Sequence, residues 1–131
     1  LSTRTTGTGT AGNLFVTTPQ LQVLDNAQIT ASTNSQANGG DIALNIQTLL
    51  LNNNGLITAR ATQPNGTAGN LGVNATIVNL RGQSELSVEA TNRGNAGNLV
   101  MTTRTLNVTE DSRVSVSSPE GRAGTLDINA N

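Results

Sequence analysis

The residues able to move a proton or hold a metal are few in this chain. They are the eight acids Asp25, Asp41, Glu85, Glu89, Glu110, Asp111, Glu120 and Asp127, set against seven arginines. His, Cys, Tyr, Trp and Lys do not occur, and Phe15 is the sole aromatic residue. Without imidazole, thiol, amine or phenol, the remaining chemistry is that of carboxylates: glycoside hydrolysis by an acid pair, or a lyase reaction on a polysaccharide. Either needs two acids converging on one exposed face, so the question is which elements carry them.

An internal repeat answers it. Ala-Gly-Asn-Leu stands at Ala11–Leu14, Ala68–Leu71 and Ala96–Leu99, with degenerate copies at Gly39-Gly40-Asp41-Ile42 and Ala123-Gly124-Thr125-Leu126. The marker glycines Gly12, Gly40, Gly69, Gly97 and Gly124 follow one another at 28, 29, 28 and 27 residues. Two places after each marker stand Leu14, Ile42, Leu71, Leu99 and Leu126, and four places after, Val16, Leu44, Val73, Met101 and Ile128. Nine on are Leu21, Leu49, Val78 and Leu106, and eleven on Val23, Leu51, Leu80 and Val108. A small site fifteen on (Ala27, Gly55, Ser84, Ser112) precedes Ile29, Ile57, Leu86, Val114 and then Ala31, Ala59, Val88, Val116.

Apolar and polar residues alternate in three short runs per repeat, the period of a strand with one buried face. One repeat cannot cover its own apolar face; repeats stacked at the ~4.8 Å strand spacing cover all of them together. The sequence therefore predicts an all-β fold: a right-handed parallel β-helix, or β-solenoid, with three short strands per turn of about 28 residues. Residues 1–131 form a single segment of about four and a half turns, on the order of 22 Å long. The lack of bulky aromatics suits an interior of like-sized aliphatic layers. Chain ends that fall inside a repeat predict a piece of a longer stack, with end-to-end self-association or continuation of the same chain. Length differences fall in residues 34–38, 63–67 and 119–122, which should protrude at one edge.

On this frame the acids scatter over several faces. Asp25 and Glu110 share a column but lie three turns apart, about 14 Å. The sequence is read as that of a non-enzyme with no catalytic residue, no metal site and no cofactor. Asn13, Asp41, Asn70 and Asn98 form a column directly after the marker glycine. They could line up an ion or ligand, but stacked amides bond readily to each other and to corner backbone, so the column is read as a structural ladder only. Thr30, Thr58, Ser87 and Ser115 form an outward hydroxyl column flanked by charged positions, expected to be ordinary solvated strand. The register also puts Arg60 one turn from Glu89, and Glu85 one turn from Arg113.

Near-neutral charge leaves no basic footprint for nucleic acid, and no apolar run is long enough to insert in a membrane as a helix.

The combination Ala-Gly-Asn-Leu-x-Val, Leu-x-Val and Asn-(Ala/Gly)-x-Ile-Thr-Ala, followed by a Thr/Asn/Gly-rich corner, resembles the filamentous-haemagglutinin-like exoproteins of two-partner secretion. It is most similar to the Asn- and Thr-rich versions found in cyanobacteria. The resemblance implies a secreted, extracellular shaft or adhesin segment at the cell surface of a Gram-negative-type bacterium, exported through an outer-membrane secretion partner; it names no receptor. The alternative is a polysaccharide-binding or polysaccharide-degrading β-helix, which requires a groove with convergent charges or aromatics.

Overall fold

The computed structural model describes residues 1–131. Its strands are β1 (Ser2–Thr5), β2 (Leu14–Leu24), β3 (Gln28–Thr33), β4 (Ile42–Asn52), β5 (Leu56–Ala61), β6 (Leu71–Leu80), β7 (Glu85–Ala90), β8 (Leu99–Val108), β9 (Arg113–Ser117) and β10 (Leu126–Ala130). Long and short strands alternate along the chain. The short ones stack as one five-stranded sheet, β1-β3-β5-β7-β9, and the long ones with β10 as another, β10-β8-β6-β4-β2. Every pairing is parallel. The chain is an all-β solenoid of about five turns, roughly 28 residues each.

The register is the one the repeat implies. Leu14, Ile42, Leu71, Leu99 and Leu126 sit opposite one another, strand upon strand. So do Ile29, Ile57, Leu86 and Val114 in the short sheet. Ile29, Ile42, Ile57, Leu71, Leu86 and Leu99 of these columns belong to a core of 23 buried residues that contains no charged side chain, with Leu14 and Val114 packed against it and Leu126 exposed at the end.

The strand boundaries differ from the sequence expectation in one respect. The first two runs after each marker glycine lie in one hydrogen-bonded strand of 10 or 11 residues in β2, β4, β6 and β8. In β4 the residues Ile42, Leu44 and Ile46 are buried, then Leu49 and Leu51, so the alternation changes phase between Ile46 and Leu49. The ladder passes from Ile46↔Ala75 directly to Thr48↔Ile77, leaving Gln47 and Thr76 without partners. Pro19 and Arg104 occupy the same place in their turns. Skipping one residue at the same place in every strand keeps the turns in register while the alternation changes phase. Proline fits there because it has no N–H to give to a ladder. The odd step from the fourth to the ninth place after each marker already shows this change of phase in the sequence, whereas the continuity of the ladder across it does not show there.

The next corner is marked plainly. Asp25-Asn26, Asn53-Asn54, Gly82-Gln83 and Glu110-Asp111 all have φ between 54° and 65°. Two successive left-handed residues reverse the chain tightly, and Asn, Asp and Gly reach that conformation at least cost. The side chains then bond along the stack: Asn53 Nδ2 donates to Asp25 Oδ1 at 2.7 Å, and Asn54 Nδ2 to Asn26 Oδ1 at 3.3 Å.

The marker glycines have a steric cause. A Cβ on Gly40 would strike the carbonyl oxygen of Gly12, and the same collision recurs for Gly69 with Gly40, Gly97 with Gly69 and Gly124 with Gly97. Nothing lies within 4 Å of a Cβ on Gly12, which has no turn on that side.

Three further inward columns, made of Ala and Thr apart from Ile46, escaped the pattern: Ala11, Ala68, Ala96; Ile46, Ala75, Thr103; and Thr33, Ala61, Ala90. Ala and Thr occur as freely outside as inside, so their type alone does not betray burial. The variable segments protrude less than expected. Gln36, Pro64, Asn65, Pro119 and Glu120 are exposed, but Asn34, Ser35 and Ala37 are half-buried. Asn34 Oδ1 accepts from Thr62 Oγ1 and Gln63 Nε2, both at 2.9 Å, and backbone bridges Asn38↔Thr67↔Asn95 tie the far side of these corners together.

Candidate functional site

The column after the marker glycine is a continuous hydrogen-bonded ladder. Asn13 Oδ1 accepts the Asp41 N–H at 2.9 Å, Asp41 Oδ1 the Asn70 N–H at 2.7 Å, and Asn70 Oδ1 the Asn98 N–H at 2.9 Å. Asn98 Oδ1 closes the run on the Thr125 N–H at 2.9 Å. Each side chain thus satisfies a backbone donor that the corner would otherwise leave to water. Asp41 also accepts from Asn70 Nδ2 at 3.1 Å. Asp41→Ala is expected to lower unfolding free energy by about 1–2 kcal/mol, since two donors on Asn70 lose their acceptor. Asp41→Asn keeps an acceptor oxygen and should stay within about 0.5 kcal/mol of the parent. Urea midpoints of both variants check this.

The acids are drawn to separate partners. Asp25 and Glu110 accept from Asn53 and from the Gly82 N–H, the latter at 2.9 Å. Glu89 pairs with Arg60 at 3.3 Å, Glu85 with Arg113 at 3.1 Å, and Glu120 with Arg93 at 3.7 Å. The first two pairs match the register expected from sequence. Being partly exposed, each contributes a few tenths of a kcal/mol up to about 1. No group of three or more acids converges as a metal cluster would.

The outer face of the short sheet is more deeply recessed than the sequence suggests. By alternation Thr58 and Ser87 point away from the core, yet they are only 3% and 1% exposed. Leu56 and Glu85 rise on one side of them, and Arg60 and Glu89 on the other. Ser87 Oγ donates to Thr58 Oγ1 at 3.0 Å along this floor. The hydroxyl column is therefore not the open solvated strand that was expected, because longer side chains two residues away on either side close over it.

A second recess lies on the outer face of the long sheet. Phe15, Ala43, Gly72 and Val100 stand opposite one another in successive strands. Phe15 is 73% exposed and Val100 42% exposed. The two small residues between them leave a hollow of about 370 Å³. Thr17, Asn45, Asn74 and Thr102 form its polar side. None of the lining side chains is charged. The position of Phe15 was readable, since it follows Gly12 by three and must face outward; its place beside two small residues one and two turns away gives it meaning.

No helix of the structure is long and apolar enough to cross a membrane. Comparison with protein-family models, with curated proteins and with solved structures finds no match.

Proposed function

We propose that this chain is a structural shaft or adhesin segment of a secreted, cell-surface protein of the filamentous-haemagglutinin-like kind, and that it is not an enzyme. The coil is right-handed, and each turn has three faces, the bent long strand supplying two of them. Handedness follows from the rule for parallel crossovers. The observation that carries the reading is repetition without convergence: apolar, amide and hydroxyl columns run from turn to turn, while Asp25, Asp41, Glu85, Glu89, Glu110 and Glu120 are each engaged with a different neighbour. Such a stack gains stiffness and length with every added turn, which is what a shaft requires.

In this reading the outward edges of the terminal strands continue into further coils, of the same chain or of a second copy. Open parallel edges recruit strands, and large side chains are exposed there, Leu1 at 70% and Leu126 at 45%. Export would run through an outer-membrane partner, as the resemblance in sequence implies.

Small-angle scattering and sedimentation over a wide concentration range test the proposal. The expected result is a rod whose cross-section stays constant while its length grows in steps of roughly 22 Å, the height of one stack at strand spacing. A strict monomer at the highest concentration would sink it. So would release of new reducing ends from a polysaccharide incubated with the chain.

A further inference from the structure

We propose that the hollow over Ala43 and Gly72 is a binding site for an uncharged sugar unit of a glycan. The inference deepens the adhesive part of the reading above, on which it rests for the source of the glycan.

The starting point is the place of the one aromatic residue. Phe15 faces outward from β2, the edge strand of the long sheet, and its ring is 73% exposed. Burying a phenyl group is stabilising, so an outward phenylalanine forgoes that stabilisation unless something else covers it. The neighbouring column positions are the two smallest outward residues available, alanine and glycine. Steric demand from the core does not explain Gly72: a Cβ there would meet only the Ile42 carbonyl oxygen, at 3.9 Å, an ordinary contact. It lacks the collision that accounts for the marker glycines. The recess is therefore not required by the stacking of the turns.

Its chemistry selects the occupant. One side is apolar, with Phe15 and Val100 at the two ends. The other is a rail of hydroxyl and amide groups, Thr17, Asn45, Asn74 and Thr102. Within the rail, the only bond is a weak one from Asn74 Nδ2 to Asn45 Oδ1 at 3.5 Å. The Asn45 amide donors and the Thr17 and Thr102 hydroxyls are free to bond outward. A pyranose ring presents this same division, an apolar C–H face and an edge of hydroxyls. It is about as wide as one strand spacing, ~4.8 Å, so the two small residues leave room for one or two rings. The uncharged lining fits a neutral sugar and has nothing to neutralise a uronate or a sulfate. A second copy of the chain would cover the apolar side but leave the hydroxyl and amide rail to find partners on a sheet face, whereas a sugar ring supplies both.

The test uses the whole chain and saturation-transfer NMR with tetrasaccharides of glucose, galactose and mannose, plus tetragalacturonate as a charged comparison. At least one neutral tetrasaccharide should bind saturably, and tetragalacturonate should bind at least tenfold more weakly. Phe15→Ala and Gly72→Leu should each weaken binding tenfold or more. Gly72→Leu fills the hollow with no backbone collision, so its unfolding midpoint should be no lower than the parent's and separates loss of binding from loss of fold. Absence of saturable binding to every neutral probe overturns the site, as does binding that both substitutions leave intact. Dimerisation abolished by Phe15→Ala, with no sugar bound, also overturns it and assigns the hollow to a second copy. Failure of the sugars to bind leaves growth of the rod with concentration untouched, so the site can fail while the shaft reading stands; only dimerisation that depends on Phe15 would bear on both.

Discussion

Gly69→Ala is expected to destabilise the fold by about 3 kcal/mol or more, whereas Gly12→Ala, at the same place in the same Ala-Gly-Asn-Leu motif, should change stability by less than about 0.5 kcal/mol. A methyl group on Gly69 would run into the Gly40 carbonyl and lie 2.9 Å from the Asp41 nitrogen, all backbone atoms held by the strand spacing. Neither turn can yield without stretching the parallel ladder on both sides of the corner, so the usual relief of a rotated side chain is missing. For a domain whose total stability is of the order of 5–15 kcal/mol, such a loss is large. At Gly12 a Cβ meets nothing within 4 Å. Urea unfolding of the two variants, read against the parent, decides the matter. Equal losses at both positions would mean that the glycine serves backbone conformation rather than close approach of turns.

The second large effect concerns the aliphatic column two places after the marker. Leu71→Ala should cost about 2–5 kcal/mol, as for a fully buried leucine whose surroundings cannot collapse. Leu71 is 0% exposed and is stacked between Ile42 and Leu99. Leu126→Ala, in the same column, should cost less than about 1 kcal/mol, because Leu126 is 45% exposed and has a stacked neighbour only on the Leu99 side. Thermal and denaturant unfolding give both values. Similar losses at the two sites would contradict a layered core in which each turn draws its stability from the turns above and below.

These pairs of equivalent residues show where sequence suffices and where it does not. The period, the parallel register and the side on which most side chains fall follow from the chain alone. A marker every 28 or so residues aligns the copies, and alternation assigns each position to core or solvent. Hence the Arg60–Glu89 and Glu85–Arg113 pairs could be anticipated without coordinates. The ladder of Asn13, Asp41, Asn70 and Asn98 was likewise legible, since in-register Asn and Asp oxygens meet the corner N–H of the next turn.

Depth was decided only by the tertiary structure. Thr58 and Ser87 lie on the outer side, yet they are covered because Leu56, Arg60, Glu85 and Glu89 flank them in adjacent strands. Phe15 becomes the wall of a hollow because Ala43 and Gly72 follow it in the next two turns. The joining of two expected runs into one strand was equally hidden, for the odd step in the pattern shows the change of phase but not that the ladder continues past Gln47. Alternation is a property of two neighbouring residues and can be read locally. Exposure is set jointly by flanking side chains two residues away and by those of the turns above and below, and only the folded stack brings both sets within contact.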